Sequence, residues 1–231
     1  MKLEILGVDG LPEIKAGDDL AGLIAEATDL ADGDVVVVTQ KIVSKAENAM
    51  VAVDPDDPMS HKPVVEQESV RVLRRRGDLV ISETKHGFVC ANAGVDRSNV
   101  AADTAALLPD DPDRSARRIR EGIRARAGVE VGVIVSDTFG RPWRRGVADV
   151  AIGVAGVRPI LDLRGTPDTT GRELQVTEVA IVDELAAAAE LVMGKAENVP
   201  VAVIRGVDPG WLGPGSIQAD LIRPPAEDLF R

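Results

Sequence analysis

The chain has 231 residues, 45% of them hydrophobic, which is enough for one large or two small domains with a buried core. Its formal net charge of −11 argues against nucleic acid as a partner, because a phosphate backbone binds a basic surface. No apolar run approaches the roughly 20 residues of a membrane helix, so no membrane partner is expected.

The composition also indicates the compartment. The first residues, MKLEILGVDG, lack the features of a signal peptide, so we expect a cytoplasmic protein. Asp outnumbers Glu by 23 to 15 and Arg outnumbers Lys by 20 to 7, which suits a salt-rich, haloarchaeal cytoplasm where ions screen the acidic surface. Cys90 is the only cysteine, which excludes an internal disulfide and a cysteine metal cluster.

Apolar periodicity predicts strands interleaved with helices. In chain order the predicted elements are a strand at 1–8, a helix at 19–28 with Asp18 as N-cap, a strand at 34–39, a helix at 64–76, strands at 78–84 and 88–91, a helix at 115–127, strands at 131–135, 150–157 and 160–163, a helix at 176–190 that runs on to 193–194, and a strand at 199–204. The pattern indicates an α/β protein of the mixed α+β kind. We expect a single domain over 1–231, with antiparallel strands in an intertwined second subdomain at about 50–130.

The most informative stretch is residues 131–153, VGVIVSDTFGRPWRRGVADVAIG. Its buried strand is predicted to stop before Asp137 and Thr138, at the position where α/β proteins commonly place ligand chemistry. Three arginines with rigid guanidinium forks follow: Arg141, Arg144 and Arg145. The stretch favours a metal-bound phosphate, and the alternative is a polar turn with solvated arginines.

Common nucleotide and catalytic motifs are absent. The sequence has no GxxxxGK[ST] loop, and no GxGxxG follows a strand. Its two histidines lack metal-ligand spacing, which disfavours a zinc site or a Ser-His-Asp triad. The remaining candidates are oxygen ligands: Asp96 with Asn99 in one loop, and Asp137 with Thr138. Such ligands suit Mg²⁺ or Mn²⁺ holding a polyphosphate, whereas an Asx-type turn is the alternative for the first pair.

Three of the seven lysines lie at predicted element ends. Lys41 and Lys45 directly follow the strand predicted at 34–39, which favours contact with an anion over a random surface position. Lys195 follows Met193 and Gly194 at a predicted helix end, where simple C-capping is the alternative.

Six long segments then stand out, in this order along the chain: GLPEIKAGDDLAGLI, DGDVVVVTQKIVSKAE, NAGVDRSNV, GVIVSDTFGRPWRRGVADVAIGVAGV, GRELQVTEVAIVDELAAAAELVMGK and VPVAVIRG. Together they resemble the coenzyme F-420:gamma-L-glutamate ligase family, and the resemblance covers nearly the whole chain. It implies an α/β part and a second part with antiparallel strands.

The resemblance implies a GTP-dependent amide ligase. Such an enzyme joins L-glutamate to the lactyl carboxylate of coenzyme F-420-0 and then adds a second glutamate by a gamma linkage. Because a free carboxylate is a poor acyl donor, an acyl phosphate is the expected intermediate. The implied partners are F-420-0, L-glutamate and GTP as co-substrate. The resemblance also implies a homodimer that uses Mg²⁺ or Mn²⁺, with K⁺ as a further activator.

The resemblance also assigns site residues. Asp96 and Asp137 are the implied catalytic residues, and they bind metal together with Thr138. The implied nucleotide ligands are Leu11, Pro12, Glu13, Ile14, Gln40, Lys41, Lys45, Asn99, Met193, Gly194, Lys195, Ala196, Glu197, Asn198 and Val199. Some family members carry a metal-binding Glu or Gln directly after the Met-Gly pair, whereas this chain has Lys195. Glu197 is a candidate replacement.

The residues alone leave two other functions open. Their oxygen ligands would equally serve a metal-dependent phosphotransferase or nucleotide hydrolase. They would also serve a non-catalytic binder of a phosphorylated ligand.

Overall fold

The fold is described for residues 1–229 by a computed structural model and combines β-strands with α-helices. The strands are β1 (Glu4–Gly7), β2 (Val35–Thr39), β3 (Met50–Ala52), β4 (Ser69–Arg76), β5 (Leu79–Thr84), β6 (Val89–Ala91), β7 (Thr104–Ala106), β8 (Gly132–Gly140), β9 (Val147–Ala155), β10 (Leu161–Asp162), β11 (Glu178–Val179) and β12 (Val201–Arg205). The α-helices are α1 (Leu20–Ala27), α2 (Gln40–Ala46), α3 (Lys62–Glu68), α4 (Pro112–Ala127) and α5 (Ile181–Met193). None of the helices in this part of the chain is long and apolar enough to cross a membrane.

A five-stranded mixed sheet forms the centre, in the order β1-β12-β2-β8-β9. Strands β2 and β8 are parallel, and the other neighbouring pairs are antiparallel. The four valines of 35–38 are all 0% exposed, which is typical of a strand covered on both faces. Helices α4 and α5 both pack on this sheet. Helix α2 follows β2 immediately. Because β2 and β8 are parallel and Thr39 lies opposite Ser136, the lysines of α2 are at the same end of the sheet as the second half of β8.

Strands β8 and β9 form a hairpin that contains most of the stretch 131–153. The hairpin extends past Ser136, the last residue of β8 that pairs with β2. Strand β9 has an extra residue, Ile152, between the partners of Val135 and Ser136. Such a bulge bends a strand and re-aims the following side chains. Past it, Thr138 lies opposite Asp149, and Asp137 lies opposite Val150. Because neighbouring residues of a strand face opposite sides, Asp137 and Thr138 point to different faces of the hairpin.

Smaller antiparallel sheets lie in the middle of the chain. Strand β3 pairs with β7, and β4, β5 and β6 form a three-stranded sheet. Buried residues in this region form their own cluster: Val53, Val65, Val80, Ala93, Val95 and Ala105. Helix α4, in contrast, packs on the central sheet although it lies within the range 50–130.

The mixed α/β class is confirmed, but several element predictions are wrong. The helix predicted at 64–76 ends at Glu68, because residues 69–76 pair with β5 and form β4 instead. The strand predicted at 131–135 continues to Gly140, so Asp137 and Thr138 lie within a strand and not after its end.

Helix bounds also differ from the prediction. Helix α1 is capped by Asp19, whose carboxylate accepts a hydrogen bond from Gly22 N at 3.2 Å, and not by Asp18. Helix α4 begins at Pro112, three residues earlier than predicted, and α5 begins at Ile181, five residues later than predicted. Helix α2 forms where no helix is predicted.

The buried carboxylate of Asp113 ties α4 to two other parts of the chain. It accepts hydrogen bonds from Val154 N in β9 at 2.8 Å and from Ser216 Oγ at 2.7 Å. It also accepts one from Ile217 N at 3.1 Å. Since Asp113 is only 6% exposed, water cannot readily replace these bonds.

We therefore expect Asp113→Ala to destabilise the fold. Each buried donor left without an acceptor costs about 1–3 kcal/mol, so the free energy of unfolding falls by several kcal/mol. Urea denaturation measures the change. Asp162→Ala is the matched control, because Asp162 lies on the exposed β10 and its loss should leave the unfolding midpoint nearly unchanged. Equal midpoints for Asp113→Ala and wild type would contradict the anchoring role.

Candidate active site

An ion pair between Lys41 and Asp96 connects α2 with the loop that follows β6. Lys41 lies on α2 and Asp96 follows β6 by a short loop, yet Lys41 Nζ is 2.6 Å from Asp96 Oδ2. The same ammonium donates to Ser98 O at 2.7 Å and to Ser98 Oγ at 2.6 Å. Burial acts to raise the pKa of Asp96, but the hydrogen bonds from Lys41 and Ser98 outweigh it and hold this pKa below its usual value. Asp96 is therefore an ionised carboxylate with its negative charge already balanced.

Asp137 stands in a different electrostatic environment. Its Oδ1 accepts a hydrogen bond from the N–H of Thr138 at 2.8 Å. Burial raises the pKa of Asp137 to about 7, and the nearby carboxylates of Asp96 and Asp149 raise it further, against the effects of that N–H and of Lys41. Such a shift marks a place where negative charge is incompletely balanced, which is common at functional sites.

A second cluster lies on the Thr138 side of the hairpin. Asp149 is only 3% exposed, and its carboxylate accepts from Thr138 Oγ1 at 2.6 Å and from Ser136 Oγ at 3.2 Å. Lys195 Nζ completes the cluster at 2.9 Å from Asp149 Oδ1 and 3.1 Å from Glu190 Oε1. It also donates to Thr138 Oγ1. Three oxygens from β8, β9 and α5 thus surround one ammonium.

The segment 193–199 is brought beside the Asp96 loop. Asn99 Nδ2 donates to Lys195 O at 3.4 Å, and Asn99 itself has a positive φ of 53°. Met193 is fully buried in the core, whereas the following residues, Gly194 to Asn198, are exposed. The segment therefore lies at the surface and connects the Asp96 loop with the cluster around Asp149.

The residues predicted to bind nucleotide are placed unequally. Lys45 Nζ lies 2.5 Å from Glu13 Oε1, so α2 and the segment 11–14 meet. Leu11 is partly buried, Pro12 is exposed, and Ile14 lies in the core at 4% exposure. Gln40 is 2% exposed, and its amide donates to Ser44 Oγ at 2.6 Å and to Leu107 O at 2.7 Å. Nucleotide contacts remain predictions for all of them.

The donor set fits a hard divalent cation. Within residues 1–229, no three His, Cys, Asp or Glu side chains gather as ready metal ligands. Mg²⁺ is commonly held by one or two carboxylates, with waters and substrate phosphates completing its shell. The incompletely balanced charge at Asp137, close to Asp96, matches that arrangement. Thr138 Oγ1, the third predicted ligand, contacts Asp149 and Lys195 on the other face.

The sequence does not indicate two residues of the second cluster, Asp149 and Glu190. Isolated acidic residues carry little information in a chain that has 38 of them. The available signal for Asp149 was its position in an otherwise apolar strand. The sequence predicts Lys195 as a nucleotide ligand, with C-capping as the alternative, whereas its ammonium contacts Asp149 in the structure.

The only cysteine lies near Asp137. Cys90 on β6 is 5% exposed. Burial, together with the charge of Asp137, raises the pKa of its thiol to about 12. A thiol with such a pKa is uncharged at neutral pH, so Cys90 is not a nucleophile here.

The electrostatic account predicts how Asp137 titrates. Its pKa in the folded chain, about 7, lies above its ordinary value of 3.8. Its contribution to stability is therefore fully present below about pH 4 and is lost as the pH rises through about 7. Carboxyl ¹³C NMR should show this titration. Asp96→Asn removes a neighbouring negative charge and should lower the pKa of Asp137, whereas Asp168→Asn should leave it unchanged, because Asp168 is not among the charges that act on Asp137. An unchanged titration in Asp96→Asn would contradict the coupling.

Comparison with known proteins identifies the family. A family model described as F420-0:Gamma-glutamyl ligase matches residues 10–206. The protein named coenzyme F420:L-glutamate ligase of Methanothermobacter thermautotrophicus is 44% identical over 251 aligned positions, covering 100% of both chains. Its namesake in Methanopyrus kandleri is 43% identical over 99% of both chains, and that of Methanocaldococcus jannaschii is 42% identical over 100% of this chain and 97% of its own. The chain therefore belongs to the F420-0:gamma-glutamyl ligase family.

Proposed function

We propose that this chain uses GTP to join L-glutamate to the lactyl carboxylate of F-420-0, and then adds a second glutamate by a gamma linkage. The supporting observation is the meeting of Lys41, Asp96 and Asp137, which come from three separate elements. Among residues 1–229, the site has acidic and cationic groups but no cysteine or histidine suited to covalent catalysis. Family membership supplies the substrate class.

The first step would be phosphoryl transfer. An oxygen of the lactyl carboxylate attacks the gamma phosphorus of GTP, the bond to the beta-phosphate oxygen breaks, and GDP leaves. The product is an acyl phosphate, which is a far better acyl donor than a carboxylate. Phosphoryl transfer depends mainly on positioning and charge neutralisation, and a covalent protein group is not required. Lys45 on α2 is a candidate for charge neutralisation, because within residues 1–229 only the exposed Glu13 pairs with its ammonium.

The second step would be acyl transfer to the amine of L-glutamate. The nitrogen attacks the acyl carbon, inorganic phosphate leaves, and the nitrogen loses a proton as the amide forms. Water competes with the amine for the acyl phosphate, so the site must hold the two substrates together.

Asp96 and Asp137 are the residues that would hold a divalent metal, Mg²⁺ or Mn²⁺. Such an ion, when bound with the nucleotide, supplies positive charge to the phosphate oxygens. Lys41 would keep Asp96 ionised and oriented for this role. The homodimer and the activation by K⁺ remain predictions, and light scattering in molar KCl tests the first of them.

Product analysis separates the ligase from its alternatives. The protein is incubated with GTP, L-glutamate, Mg²⁺ and F-420-0, and the deazaflavin is followed by mass spectrometry. The ligase couples GDP release to a product heavier by one glutamate and later by two. A nucleotide hydrolase releases GDP without glutamate, and a binding protein releases none. Either of the last two results would refute the proposal.

Removal of the Lys45 ammonium should weaken nucleotide binding. A charge-assisted contact contributes about 1.5–3 kcal/mol, so Lys45→Ala should raise the Kd for GTP by roughly one to two orders of magnitude. Calorimetry in Mg²⁺ measures the Kd. Lys85→Ala is the matched control, because Lys85 pairs with Asp110 at 2.9 Å outside this site. Equal affinities for both variants would remove Lys45 from the nucleotide site.

Asp137→Asn tests the catalytic assignment. The substitution keeps the shape of the side chain and removes its charge, so glutamate ligation should slow by roughly 100-fold or more. The thermal midpoint should not fall, because no buried charge is left unpaired. Asp162→Asn on β10 should ligate at the wild-type rate. A wild-type rate for Asp137→Asn under limiting Mg²⁺ would show that Asp137 is not part of the catalytic centre.

A further inference from the structure

The turn that joins β8 to β9 has an unusual composition for this chain. Residues 141–146, RPWRRG, are all exposed, and we call them the arginine tip. The tip contains three arginines, and no acidic residue occurs between Thr138 and Ala148. In a protein with a formal net charge of −11, this is a local concentration of positive charge. It favours an anionic ligand.

Trp143 at the centre of the tip is exposed and conformationally strained. Its side chain is 83% exposed, so little of its large apolar surface is removed from water. Its φ of 58° is in the left-handed region, which is costly for a bulky residue. Backbone strain of this kind persists only where surrounding structure imposes it, and it occurs preferentially at binding sites.

Arg141 helps to impose that conformation. Its Nη2 donates to the carbonyl oxygen of Arg145 at 2.8 Å across the turn. This bond links the two sides of the tip around Trp143. Arg141 is therefore used within the tip, whereas Arg144 and Arg145, which follow Trp143 in the chain and precede β9, are exposed.

The tip belongs to the same hairpin as Asp137. Gly140, the end of β8, lies three positions beyond Asp137, which corresponds to about 10 Å along a strand. A ligand that reaches from Asp137 to the tip must therefore be long. It also needs a planar group for the indole and an anionic group for the arginines.

We infer that the arginine tip binds the deazaflavin substrate, with the planar ring stacked on Trp143 and the anionic arm contacted by Arg144 and Arg145. This inference rests on the proposed function. F-420-0 has the required form, because a ribityl phosphate chain separates its planar ring from the reacting lactyl carboxylate. The carboxylate then lies toward Asp137 while the ring remains on the tip. The tip is thus a specificity site outside the catalytic centre.

The test compares the binding of two probes by equilibrium dialysis. One probe is F-420-0, and the other is the same deazaflavin without its phospholactyl arm. Stacking on an aromatic side chain is typically lost on substitution by Ala with a roughly 5- to 100-fold weaker Kd. Trp143→Ala should weaken the binding of both probes by such a factor, and Trp143→Phe should weaken it less. The Arg144→Gln/Arg145→Gln double variant should weaken the binding of F-420-0 only.

Controls separate this inference from the proposed function. All variants should bind GTP with the wild-type Kd, and Arg74→Gln on β4 should bind both probes normally. If wild type binds F-420-0 and ligates glutamate while Trp143→Ala and the double variant bind it within twofold of wild type, the tip is not the substrate site and the proposed function stands. If wild type binds no F-420-0, both ideas are wrong.

Discussion

The site depends on how a few positive charges are distributed among several carboxylates. Lys41 neutralises Asp96, and Lys195 neutralises the buried Asp149, each from a different part of the chain. Asp137 accepts a peptide N–H bond instead, and burial beside two other carboxylates keeps its pKa near neutrality. A site built in this way gains from any further positive charge that enters it. This distribution of charge is what supports the proposal of a metal ion at Asp137 and Asp96.

Much of the fold could be predicted from local sequence. The valine run of β2 can hardly form anything but a buried strand, and the alanine-rich part of α5 has few alternatives to a helix. The helix prediction for residues 69–76 is wrong because their pattern of Val and Arg is compatible with either a helix or a strand. Only the pairing with β5 determines that they form a strand. The full length of β8 could not be predicted for a related reason. Its polar end is extended by hydrogen bonds to β9, which local apolar periodicity cannot reveal.

The candidate site was predictable where chemistry is local and unpredictable where it is tertiary. Asp96 and Asp137 could be chosen from their segments, and the parallel pairing of β2 with β8 explains why Lys41 lies near both. The role of Lys195 could not be predicted, because its partner Asp149 is 46 residues away in the sequence. The two residues become neighbours only through the β8–β9 bulge and the packing of α5 on the sheet. The opposite orientations of Asp137 and Thr138 likewise follow from strand register, which a motif does not contain.

The buried thiol of Cys90 has a practical consequence for studying motion. Because it is the single cysteine of the chain and is both enclosed and protonated, thiol reagents will scarcely modify the native protein. One cysteine introduced on the exposed turn between β8 and β9 would then be the sole reactive position. A spin label or fluorophore attached there would report the movement of this turn without any prior removal of a native residue.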